Sequence, residues 1–214
     1  MRLLPVLLLL TSLSLRAQEA APADPLVAQQ RLAAVLRQAT ENYDRGDYKG
    51  TVAILGALQG AAAGDLSVLN LRAAALTKAG DYAQAARIFA GILEANPGYF
   101  PSAYNLAEVR FLSGDREGAL EAFRALRQRD PRNELLRFKV FLCQYALGRG
   151  EEAAKTARAM QSAGSTPAWY YAQALLARRG GDEGSARKNL RAARALYGED
   201  GCRLFDESIA VSGL

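Results

Sequence analysis

The 214-residue chain is half apolar, carries 27 Lys and Arg against 22 Asp and Glu, and contains no His. That length suits one domain-sized core or one medium repeat array, and the apolar share excludes a disordered chain. The net charge of +5 is spread along the sequence without a block of basic residues, so a nucleic-acid footprint is unsupported.

The first 17 residues, MRLLPVLLLLTSLSLRA, place Arg2 before an apolar run that ends near Leu15. This is the layout of a secretory signal peptide, and the run is shorter than the roughly 20 apolar residues of a membrane span. Residues 1–17 are therefore expected to be removed, taking the charges of Arg2 and Arg16 with them. The mature protein is then periplasmic or secreted, with membrane contact only if the segment is retained. Residues 18–31 read as a leader, with Pro22 and Pro25, that runs into the first helix.

From residue 32 to about 200 the chain keeps a beat. Gly46-Asp47-Tyr48, Gly80-Asp81-Tyr82, Gly114-Asp115 and Gly148 fall at one interval, and Gly181-Asp182 arrives one residue early. Ala85, Ala119 and Ala153 share the period, as do Phe89 with Phe123 and Pro97 with Pro131, and Ala186 comes one residue early like Gly181. Ala, Leu, Arg and Glu abound and β-branched residues are few, so each unit reads as two helices and the protein as all-α. Helices of about 13 to 16 residues are marginal alone, so neighbouring units must supply burial. The Gly suits a C-cap at φ > 0 and the following Asp an N-cap for the next helix. Small Ala73 and Ala107 face Ala85 and Ala119 where the two helices touch, and the Phe residues fill the wedge toward the next unit. In residues 134–167 the bulk is exchanged between partners, Phe141 standing where other units have Ala and Ala157 where they have Phe or Leu. After Gly198 the beat is lost. Residues 201–214 keep Leu204, Phe205 and Ile209 at helical spacing and read as a helix capping the last apolar face.

The pattern Leu106, Ala107, Gly114, Ala119, Phe123, Pro131, with Ala73, Gly80, Tyr82, Ala85, Phe89, Pro97 before it, resembles the tetratricopeptide repeat family. The resemblance implies a right-handed helical-hairpin solenoid of about five repeats, whose first helices line a concave groove.

Catalysis has little to stand on. Without His there is no Ser-His-Asp or Cys-His pair, and the commonest metal ligand is absent. Cys143 and Cys202 lack CxxC spacing, so neither a metal nor another cofactor is expected. An exported context permits a bridge between them, whereas the apolar helix around Cys143 favours a small core residue. Acid pairs such as Glu151-Glu152 sit at helix starts, where the dipole favours them.

Recognition remains. The family geometry implies that the groove carries Asn70, Lys78, Tyr104, Asn105, Glu108, Phe138, Lys139, Leu142, Tyr145, Tyr171 and Arg178. Of these, Asn70, Tyr104, Asn105, Glu108, Phe138, Lys139, Tyr145 and Tyr171 are the candidate peptide-binding residues, rings taking side chains and amides bonding a backbone. A carboxylate clamp found in some relatives is broken here: Asn105 and Lys139 match it, while Asn70, Ala74 and Leu135 do not. The expected function is a non-catalytic interaction scaffold of the cell envelope that holds a protein segment. The alternatives are a self-associating structural component and, further off, a glycan-binding or glycan-cleaving protein using Glu108.

Overall fold

In the computed structural model the described residues are 24–161 and 164–212, with side chains through residue 210. The expected signal peptide at 1–17 and the leader up to residue 23 lie outside them. Among the described residues there are ten α-helices: α1 (Pro25–Asp44), α2 (Tyr48–Gly56), α3 (Leu66–Lys78), α4 (Tyr82–Ala95), α5 (Phe100–Leu112), α6 (Arg116–Arg129), α7 (Glu134–Ala146), α8 (Gly150–Arg158), α9 (Ala168–Arg179) and α10 (Glu183–Ser212). They pair in chain order as five hairpins. Each helix packs on the next, and α1 on α3, α3 on α5 and α7 on α9 stack the first helices into one layer. The protein is an all-α helical-hairpin solenoid.

The Gly-Asp beat does what its chemistry allows. Gly46, Gly80, Gly114, Gly148 and Gly181 have φ of 81°, 85°, 95°, 76° and 78°, a region any side chain would strain. Asp47, Asp81 and Asp182 send their backbone N–H to the carbonyls of Asn42, Leu76 and Ala177, which closes a Schellman turn. Their side chains, with that of Asp115, accept a free first-turn N–H of the second helix, three residues on, from Gly50, Gln84, Ser185 and Gly118. The fourth hairpin has Arg149 at this place and lacks a side-chain cap.

Packing follows the small-residue pattern. Ala73, Ala85, Ala107, Ala119, Ala153 and Ala186 are fully buried, as are Phe89 and Phe123. Where the first hairpin substitutes Thr51, its hydroxyl donates to the carbonyls of Ala39 at 3.2 Å and Asp47 at 2.9 Å, so the extra polar atom is satisfied. Phe141 and Ala157 are both fully buried in one core cluster, as an exchange of volume between the two helices requires. Cys143 and Cys202 belong to the same cluster, and both are free thiols.

Gly198, at φ 69° and ψ 174°, breaks α10 into an arm of residues 183–197 and an arm of residues 199–212. The first arm completes the fifth hairpin. The second was expected as a lid on the last repeat; it is helical, but it turns back along the first helices, and this placement builds the site.

Candidate functional site

The second arm of α10 meets the inner layer at successive levels. Phe205 packs on Phe138 of α7 at 4.9 Å between ring centroids and on Tyr171 of α9 at 5.4 Å. Tyr171 donates its hydroxyl hydrogen to Asp206 at 2.7 Å, and Arg194 donates to both oxygens of the same carboxylate at 3.1 and 3.2 Å. Burial first, and then the bond to Asp206, pushes the Tyr171 phenol upward, so it stays a donor. Farther along, Lys139 of α7 donates to Ser208 at 2.7 Å, and Lys78 of α3 pairs with Glu207 at 2.8 Å. The arm thus spans three of the five hairpins by side-chain contacts.

Lys139 is the electrostatic centre of the groove. Only 4 % exposed, it also pairs with Glu108 of α5 at 2.8 Å, and its ammonium lies 6.0 Å from the ring centroid of Tyr104. A buried ammonium needs such partners, because an unpaired one would bear the full desolvation cost. Cys143 lies one turn along α7, where burial, helped by the Glu108 charge, pushes its thiol up to about 12. Tyr104 stacks on Phe100 and meets Phe123 edge-on at 5.7 Å. Burial, and less strongly Glu108, raises its phenol far above the ordinary range.

The arm leaves part of the groove open. A cavity of about 270 Å³ is lined by Tyr43, Tyr82, Tyr104, Asn105, Lys78 and Glu108, with Leu204 and Glu207 of the arm along one wall. Above it Asn70 accepts from Ser102 at 3.2 Å and from Asn105 at 3.4 Å, so the two amides link the second and third hairpins. Asn70 and Asn105 remain partly exposed. A larger depression of about 680 Å³ lies between α4 and α5, lined by residues such as Ala83, Ala86, Arg87 and Arg110. It carries Tyr82, Asp81, Arg87 and Arg110 but only one aromatic ring, against three in the smaller cavity, and none of the inner-layer candidates. Among the described residues no group of three or more Cys, Asp or Glu is placed to hold a metal ion.

The sequence-derived residues therefore separate into two sets. Tyr104, Asn105 and Glu108 line the open cavity, Asn70 is hydrogen-bonded to Asn105 beside it, and all four stay partly exposed. Phe138 and Tyr171 are buried under the arm, and Lys139, buried beneath it as well, also forms part of the cavity wall. Tyr145 is buried too, but by repeat packing: its hydroxyl donates to the carbonyl of Leu175 at 3.1 Å, and the Arg179 guanidinium stacks 3.5 Å from its ring centroid. Leu142 is buried, Arg178 and Lys78 are exposed. What the sequence reading missed is the arm as part of the site. Phe205, Asp206 and Glu207 complement an inner layer that offers Phe138, Tyr171, Lys139 and Lys78, a match that shows only once the partners are placed together. Tyr43 and Tyr82, each beside a Gly-Asp turn, were also overlooked.

Comparison with known proteins bears on the fold. The sequence model of the tetratricopeptide repeat matches residues 76–132 and 110–178. No curated protein matches the chain. A thermophilic TPR protein of Thermus thermophilus, TTC0263, is 19% identical, with a TM-score of 0.64 over 86% of this chain and 100% of its own. MamA from Desulfovibrio magneticus RS-1, residues 41 to the end, is 17% identical, with a TM-score of 0.60 over 77% of this chain and 94% of its own. MamA of AMB-1 is 20% identical, with a TM-score of 0.55 over 78% and 92%. At these identities the likeness is one of fold.

Proposed function

Because this chain is a tetratricopeptide repeat protein, its repeats matched over residues 76–178, we propose that it is an exported interaction scaffold whose groove holds a segment of a partner protein. The fold supports a protein-interaction role in general. The finer reading rests on one observation: the inner layer already holds a helical segment, the arm, through an aromatic anchor and three charged contacts. A surface that grips one helix by side chains is shaped to grip a protein segment. Export rests on the N-terminal pattern of Arg2 and the apolar run to Leu15, and it places the scaffold in the cell envelope.

A photo-crosslinking residue at Asn105, beside the open cavity, tests the groove in the producing cell. Crosslinked peptides of a second protein are expected from that position and not from Gln128, which is exposed on α6. Adducts from Gln128 alone would move the binding surface off the groove. Fractionation of the same cells checks export: full-length protein retaining residues 1–17 in the cytosol would refute it.

A further inference from the structure

We propose that the partner of this groove is an amphipathic helix carrying an aromatic residue followed by acidic ones, and that residues 199–210 are its intramolecular stand-in, displaced when it binds. This rests on the groove-binding reading above and adds the class of partner and the way access is regulated.

The arm is held by a single stripe. Cys202, Phe205 and Ser208 are buried, while Arg203, Leu204, Glu207 and Ala210 are exposed. Anchors three residues apart on one face are how a helix is read by a groove. Phe205 sits against Phe138 and Tyr171, and the acids that follow it meet Arg194, Tyr171 and Lys78. All these recognising groups except Arg194 stand on α3, α7 and α9. They are present whether the helix arrives from the same chain or from another.

The arm is also built to leave. Only Gly198 separates it from the fifth hairpin, and its φ of 69° with ψ of 174° belongs to a region populated essentially by glycine. Rotation there swings the arm without unfolding a repeat. Moreover, the arm fits the groove incompletely. Leu204 is 58 % exposed although it borders the cavity of Tyr43, Tyr82 and Tyr104. A helix with a bulkier apolar side chain at that level buries more against the same walls, which gives a partner its advantage over the resident arm.

A short tether keeps the arm at an effective concentration of about millimolar, so a competing helix sees only the fraction of molecules that are open. The probe is a fluorescent peptide of residues 199–210, added to the full-length chain under reducing conditions and followed by anisotropy. A chain with Phe205→Ala is expected to bind it about tenfold more tightly than the unaltered chain. A peptide carrying its own Phe205→Ala is expected to lose that gain. Equal binding by both chains, or a gain that survives in the altered peptide, would overturn the proposal. If Phe205→Ala costs helicity by circular dichroism, Glu207→Lys at the exposed edge replaces it. That change replaces the pair with Lys78 by a like-charge contact at an exposed edge, with an expected gain of about threefold, and no gain would overturn the proposal. Crosslinks from Asn105 that persist while the peptide never competes would leave the groove function standing and refute the exchange. The absence of any groove crosslink would remove the binding reading itself.

Discussion

Helices α5 and α7 have the same length and the same place in their hairpins, yet four residues of α5 are buried and nine of α7. Both touch a second helix behind them and first helices on either side. Part of the difference is repeat packing, as at Gln144 against Thr156 of α8 and Tyr145 against α9, and part is on the groove side, where the arm covers Phe138 and Lys139 while Tyr104, Asn105 and Glu108 of α5 border the cavity. One solenoid therefore has a sealed end that behaves like an ordinary protein core and an open end that keeps polar and aromatic groups at a surface. The repeat sets the geometry of both ends, and the arm decides which of them is available.

Three pairs of substitutions press on this contrast. The largest effect is expected for Phe138→Ala, which empties a fully buried site touching Phe141, Tyr171 and Phe205. It should cost about 3 to 5 kcal/mol in urea denaturation. Tyr104→Ala at the open end, partly exposed, should cost about half as much. Equal losses would mean that the ends are not distinct. Next comes charge: Lys139→Met strands the half-buried Glu108 and should cost about 2 to 3 kcal/mol, partly recovered by adding Glu108→Gln. Lys78→Met breaks a pair that is well exposed on both sides and should cost under about 1 kcal/mol. A large loss at Lys78 would place it in the sealed region. The smallest contrast lies in the caps. Asp115→Ala, which removes an acceptor for the Gly118 N–H, should cost about 1 kcal/mol, and Arg149→Ala, where no side chain caps, only a few tenths by thermal melting.

How legible this was in the sequence depends on what each residue must satisfy. Gly80-Asp81, Ala85 and Phe89 meet local demands, a turn, a cap, a close approach and a wedge, and these recur identically, so the hairpins could be read from spacing. The inner-facing residues could be mapped once the period was known, and Tyr104, Asn105 and Glu108 do converge. The destination of the arm was not legible, because Phe205, Asp206 and Glu207 meet partners far away in sequence. Helical spacing says that Leu204, Phe205 and Ile209 lie close together on the helix, but not which surface receives them. Indeed Leu204 is exposed while Phe205 is buried. A hint lay in α7, whose LLRFKVFLCQYA is apolar on nearly every side, a pattern of helices enclosed all round. The open groove of the family left no neighbour to enclose that face; the arm is that neighbour.

The pairing of Lys78 with Glu207 joins residues 129 apart in a molecule whose other packing is mostly between neighbours in the chain. A repeat array held only by nearest-neighbour interfaces frays from its ends, each hairpin melting against the next. Here the arm packs on α9, α7 and α5 and reaches α3 through that weak exposed pair, so the stretch from α3 to the arm forms a ring whose firm part, from α5 to the arm, should unfold as one cooperative unit. The first hairpin lies largely outside that ring, and hydrogen exchange should find its amides opening at lower free energy than those of α7. A partner that displaces the arm would then do more than occupy a groove: it would convert a ring into a chain, and the loss of cooperativity would travel through every repeat between.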